Sequence, residues 1–118
     1  MYYSILIYAQ EGVWERLTEQ EQEAALEQHR QLQAECEKEQ TLGPVVRLGA
    51  TSGAVTVRQR SGKPMTLDGP FAETKEHLLG IYLVKCSSID EAIAAAKKLP
   101  QGIACYEVRP VMWSNADQ

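Results

Sequence analysis

Leu67-Asp68-Gly69-Pro70-Phe71-Ala72-Glu73-Thr74-Lys75-Glu76 is the stretch from which the organisation of this chain can be read. Asp-Gly-Pro is a turn tripeptide. The Asp side chain can bond the backbone two residues on, Gly frees φ, and Pro fixes φ near −65°. Pro70 also biases Gly69 away from the α region. A polar run follows, and Leu78-Leu79-Gly80-Ile81-Tyr82-Leu83-Val84 then reads as a strand. Asp68 is therefore expected at a sharp corner ahead of a buried strand, with Phe71 pointing inward just after it. Such a corner holds a carboxylate in fixed geometry. It is equally what a plain structural turn looks like.

Working back toward the N-terminus, Ala54 to Arg60 alternates cleanly. Val55 and Val57 are predicted to face in, and Thr56, Arg58 and Arg60 out. Ser61-Gly62-Lys63-Pro64 turns the chain as a hairpin loop of about four residues, and Met65-Thr66-Leu67 returns to the corner. Thr41 to Leu48 reads as a further strand. Its Gly43-Pro44 must sit at the start or on a sheet edge, because Pro cannot donate to a ladder. Before it, Thr18 opens a helix with Glu21 as its capping-box partner. Ala25, His29, Leu32 and Cys36 fall on one apolar stripe of that helix, which ends near Gln40. Gln10 to Leu17 is a loop. Tyr2 to Ala9 is a first strand with Tyr3, Ile5 and Ile7 on one face and Tyr2, Ser4, Leu6 and Tyr8 on the other. Both faces are largely apolar, so both are expected to be covered.

Beyond the corner, Leu79 to Cys86 is the next strand. Ser88 opens a second helix, again with a capping box through Glu91, and Ala92, Ala96 and Leu99 make its buried stripe. Pro100-Gln101-Gly102 ends it. Ile103 to Arg109 is the last strand, with Ala104, Tyr106 and Val108 facing one way and Cys105, Glu107 and Arg109 the other. Trp113 to Gln118 is a tail expected to fray at its end. The order predicts an α+β domain with two helices on one face of an antiparallel sheet. Two helices cover one sheet face only. The other must be hidden differently, and a two-fold homodimer packed sheet to sheet does that.

The bulk properties exclude several classes. At 118 residues this is a single domain over residues 1–118. It is 44% hydrophobic and 24% charged, which is not a disordered composition. A net charge of −4 gives no basic footprint, so no nucleic-acid partner is expected. No apolar run reaches membrane-span length, and no cleavable apolar leader precedes the first strand, so no membrane association is expected. Three widely spaced cysteines, Cys36, Cys86 and Cys105, argue against a disulfide framework and suit a reducing cytoplasm. There is no CxxC or His-rich tract, so no metal is expected, and nothing in the sequence calls for a cofactor.

Asp68-Gly69-Pro70-Phe71-Ala72-Glu73-Thr74-Lys75-Glu76 resembles the signature of the DGPF branch of the YCII-related family. The opening Met1-Tyr2-Tyr3-Ser4-Ile5-Leu6-Ile7-Tyr8 is similar to that family's first strand, and Tyr106-Glu107-Val108-Arg109-Pro110-Val111-Met112 to its last. The resemblance spans nearly the whole chain. It implies a ferredoxin-like sheet of the dimeric α/β-barrel type, with a cleft near the Asp68 corner, but no settled reaction.

Two residues are the candidates for chemistry. His29 brings an imidazole to the apolar stripe of the first helix, where it is either a core residue with a local partner or a general acid/base facing a cleft. YCII-type relatives carry a His at this point, paired with an Asp just before a Pro after the second helix. Here that segment is Lys97-Lys98-Leu99-Pro100, and the Asp is missing. Asp68 is then the available partner, as orienter or second acid. Tyr8, Phe71, Glu73 and Lys75 are the candidate ligand-binding residues around the same cleft. The functional expectation is a small organic ligand, handled by a proton-transfer step of lyase or isomerase type through His29 and Asp68. The alternative is a non-catalytic ligand-binding or regulatory accessory protein, which the resemblance links to extracytoplasmic-function sigma factors.

Overall fold

A computed structural model describes residues 1–117. The elements run β1 (Tyr2–Gln10), α1 (Glu19–Lys38), β2 (Leu42–Arg47), β3 (Val55–Arg60), β4 (Lys63–Asp68), β5 (Glu76–Lys85), α2 (Ile89–Lys97) and β6 (Cys105–Pro110). Four strands form the main sheet in the order β2-β5-β1-β6, and β3 pairs only with β4. All pairings are antiparallel. With the β3–β4 hairpin set aside, this is the βαββαβ ferredoxin-like arrangement. The hairpin is an insertion between the edge strand β2 and the inner strand β5.

The core follows from alternation. Tyr3 and Ile5 of β1 face Val84 and Tyr82 of β5 across the ladder. Leu32 and Cys36 of α1 and Ala92, Ala96 and Leu99 at α2 pack on the same side. Leu99 is 0% exposed. The residue ahead of Pro100 is thus core here, and a carboxylate could not be placed there without losing that packing. Tyr2, Leu6 and Tyr8 of β1 and Ile81 and Leu83 of β5 point to the opposite face and are only half-buried, with no element among the described residues laid over them. The register shifts between Ile7 and Tyr8, which pair with Gly80 and Leu78 and leave Leu79 as a bulge in β5.

Helix α1 is capped as its sequence requires. Glu21 N–H donates to Thr18 Oγ1 at 3.1 Å, and Thr18 N–H donates to Glu21 Oε1 at 2.9 Å. Its C-terminus closes through Gln40 at φ 60°, with Thr41 N–H donating to Cys36 O at 2.8 Å. Helix α2 departs from the expected box. Ser88 accepts from Glu91 N–H, but the Glu91 carboxylate turns to the amide and hydroxyl of Ser87, at 2.9 and 2.6 Å. The hydroxyl one residue earlier offers Glu91 two donors, where Ser88 would offer one amide.

The hairpin departs most from the sequence reading. Val55 is 60% and Val57 68% exposed, because β3 and β4 lie off the main sheet and no helix covers them. The connecting loop has two residues, Ser61 (φ 52°) and Gly62 (φ 77°), with Arg60 paired to Lys63. Two successive positive φ values match the strand twist and let the turn close early, so Lys63 and Pro64 belong to β4. Phe71, expected to point inward, is 75% exposed. The corner itself forms at the expected residues. Gly69 adopts φ 92°, its N–H donates to Ala54 O at 2.7 Å, and Thr56 Oγ1 donates to Gly69 O at 2.8 Å. The polar stretch after it carries Phe71 away from the core. The frayed end expected at Gln118 lies outside the described residues.

Candidate functional site

A cavity of about 330 Å³ opens between α1 and the sheet. Its mouth is built by the loop after β1 and the segment after β2. Strand β2 reaches this position because Gly80 of β5 lies against it. A Cβ at Gly80 would meet Val46 O at 2.7 Å. Ile7, Val13, Trp14, Leu26, Val45 and Leu79 give the cavity apolar walls. His29, Gln33, Tyr82 and Tyr106 supply polar groups inside it.

The polar groups are joined. His29 Nδ1 is 2.7 Å from Tyr82 Oη, and Gln33 Nε2 donates to the same oxygen at 3.0 Å. The His29 and Tyr82 rings stack with centroids 5.8 Å apart and planes 22° apart. Gln33 fills one acceptor position on the Tyr82 oxygen. The arrangement that satisfies all three groups has Tyr82 O–H donating to His29 Nδ1, which leaves the imidazole proton on Nε2. A protonated ring would reverse that bond and strand the Tyr82 proton. Burial pushes the His29 pKa below its ordinary value of 6.5, and the nearby Arg47 guanidinium pushes it the same way. Burial raises the Tyr82 pKa, opposed by the Gln33 hydrogen bond. Burial, then the neighbouring Tyr82 and Cys105, takes Tyr106 up to about 12, and its hydroxyl donates to Pro100 O. Near neutral pH the interior is therefore uncharged and hydrogen-bonded.

The rim differs. The Arg47 guanidinium carbon lies 5.3 Å from the centre of the Trp14 ring. Thr51 Oγ1 donates to Glu11 Oε1 at 2.9 Å, and Glu11 Oε2 is 3.8 Å from His77 Nε2. Among the described residues no cluster of three or more His, Cys, Asp or Glu side chains could hold a metal ion. No helix among them is long and apolar enough to cross a membrane.

Of the residues singled out from sequence, His29 lines this cavity. Asp68 does not. It pairs with Val55 at the base of the hairpin, is exposed, and has no side-chain partner among the described residues. Glu73 and Lys75 are exposed, as is Phe71, and none of the three lines the cavity. Tyr8 stands opposite Leu78 and Cys105 on the open face of the sheet. The imidazole finds its partner in Tyr82 of the central strand. Gln33, Tyr82, Arg47 and Trp14 were missed. Gln33 had a readable signal, since it follows His29 by four residues and shares its helix face. Tyr82 is the one aromatic residue in its strand, with a hydroxyl that needs a partner once buried. Arg47 and Trp14 meet only through tertiary structure.

The model of the YCII-related domain matches residues 1–114. An uncharacterized protein of Rhizobium meliloti (strain 1021) is 40% identical over 114 residues, covering 94% of this chain and 92% of the relative.

Proposed function

The chain belongs to the YCII-related family, and from that premise we propose that it binds a small organic molecule in the cavity between α1 and the sheet. The observation that carries this reading is the hydrogen-bonded group His29–Tyr82–Gln33 within otherwise apolar walls. A concave, largely apolar site with a few convergent polar groups is the usual form of a small-molecule pocket. A neutral imidazole held against a hydroxyl also suits a proton-transfer step, of lyase or isomerase type, with His29 as the base and Tyr82 as its orienter. His29→Gln and Tyr82→Phe separate the two roles. A binder loses affinity in both variants, whereas an enzyme keeps affinity in Tyr82→Phe and loses turnover. A change in the His29 Cε1–H resonance on adding ligand reports occupancy directly. Ligand binding that leaves that resonance unmoved overturns the assignment of the cavity.

The protein acts as a homodimer in this reading. Tyr2, Leu6, Tyr8, Ile81 and Leu83 form an apolar band on the uncovered sheet face, and a second copy related by a two-fold axis covers it. A standard-size interface there removes roughly 1,600 Å² of surface from water.

A further inference from the structure

The rim of the cavity carries a charge that binding by His29 and Tyr82 does not use. Arg47 ends β2 opposite Gly80 of β5 and is held over the Trp14 ring. Among the described residues it takes part in no ion pair. A guanidinium stacked on an aromatic face keeps its N–H edge free for a planar anion, which it can bind with two parallel hydrogen bonds.

The two carboxylates of the rim do not cancel this charge inside. Glu11 and Glu15 are both exposed, and Glu11 is engaged by Thr51 and faces His77. Arg47, itself exposed, thus stands at the cavity mouth as a guanidinium with no carboxylate partner among the described residues, beside apolar walls. The cavity, at about 330 Å³, is near the small end of ligand pockets. That suits a small organic molecule.

We infer that the ligand of this cavity is a small organic monoanion: an apolar or aromatic body lying against Trp14, Val45 and Leu26, with one carboxylate held by Arg47, within reach of His29. This rests on the reading of the cavity as the ligand site and adds the chemical class.

The test uses phenylacetate and its neutral isostere phenylacetamide. Each is titrated into the full chain by calorimetry, while the His29 Cε1–H resonance is followed. Phenylacetate is expected to bind about tenfold or more tightly than the amide, a difference of about 1.4 kcal/mol. Arg47→Met, which keeps an apolar stem over Trp14, should erase the difference while leaving amide binding in place. Arg47→Lys, a charge without the planar fork, should recover part of it. Equal affinity for acid and amide, with the His29 resonance moving for both, overturns the anion assignment and leaves the binding site standing. Discrimination that survives in Arg47→Met overturns it too. Failure of both probes to move the His29 resonance counts against anion and cavity together.

Discussion

The imidazole of His29 and the hydroxyl of Tyr82 lie 2.7 Å apart, one from the helix layer and one from the centre of the sheet. The contact fixes which ring nitrogen is free and makes protonation of His29 a cost to the fold. The folded pKa is depressed, so below 6.5 the unfolded chain takes up the proton first. Stability is then full above that value and declines as pH falls toward the folded pKa. Chemical denaturation from pH 8 to 5 should show this slope, and His29→Gln should flatten it. An unchanged slope in the variant would mean that other groups cause the acid loss. Arg47→Met should raise the His29 pKa, which an NMR titration reads.

Gly80 should tolerate no side chain. A Cβ there meets a backbone carbonyl of β2, which cannot swing away as a side-chain tip could. Gly80→Ala is predicted to cost about 1–3 kcal/mol of stability, as overpacking does, and to weaken ligand binding by displacing Val45 and Arg47. A variant that melts and binds like the parent would show that β2 is free to shift.

Asp68 and Gly69 should respond differently to substitution. Gly69→Val forces a β-branched residue into φ 92° and should cost about 1 kcal/mol or more, although no atom crowds the site. Asp68→Asn leaves the backbone bonds of the corner intact and should melt within about 0.5 kcal/mol of the parent. Ligand affinity should also be unchanged in Asp68→Asn, since Asp68 stands outside the cavity. A large loss of affinity there would return the corner to the functional site.

Gln40 closes α1 in a left-handed conformation that glycine adopts without strain. Gln40→Gly is expected to raise stability by about 0.5–1 kcal/mol, measured as a shift of the urea midpoint at constant m-value. A lowered midpoint would mean that the Gln40 side chain makes a contact worth more than the strain.

Sedimentation equilibrium at micromolar concentration should give twice the 13.2 kDa chain mass. Leu6→Lys, in the middle of the open face, should shift the equilibrium to monomer with helicity retained. A parent protein that sediments as a monomer would refute the dimer.

The sheet and both helices were readable because their apolar residues recur with strand and helix periods, and the caps lie in short local patterns. The hairpin was misread for a reason that alternation cannot reveal. Val55 and Val57 look inward-facing in sequence, yet which face is covered depends on what packs there. The apolarity of Phe71 suggests an inward side chain, yet the chain around it runs through solvent. His29 was found because an imidazole on an apolar stripe is unusual. Asp68 is matched to it in sequence only as the carboxylate available once the Asp expected before Pro100 is missing, and availability carries no distance. Tyr82 reads in sequence as one more inward residue of an apolar strand, and only the three-dimensional contact shows which group meets its hydroxyl.

The β3–β4 hairpin makes its ladder with itself alone, so its length is uncoupled from the register of β2 on β5. Residues added at Ser61–Gly62 would lengthen an arm without sliding any strand of the main sheet. The molecule therefore has a built-in splice point. A reporter peptide or affinity tag inserted there should leave the cavity's geometry unchanged, and the hairpin can vary in length independently of the sheet that builds the ligand site.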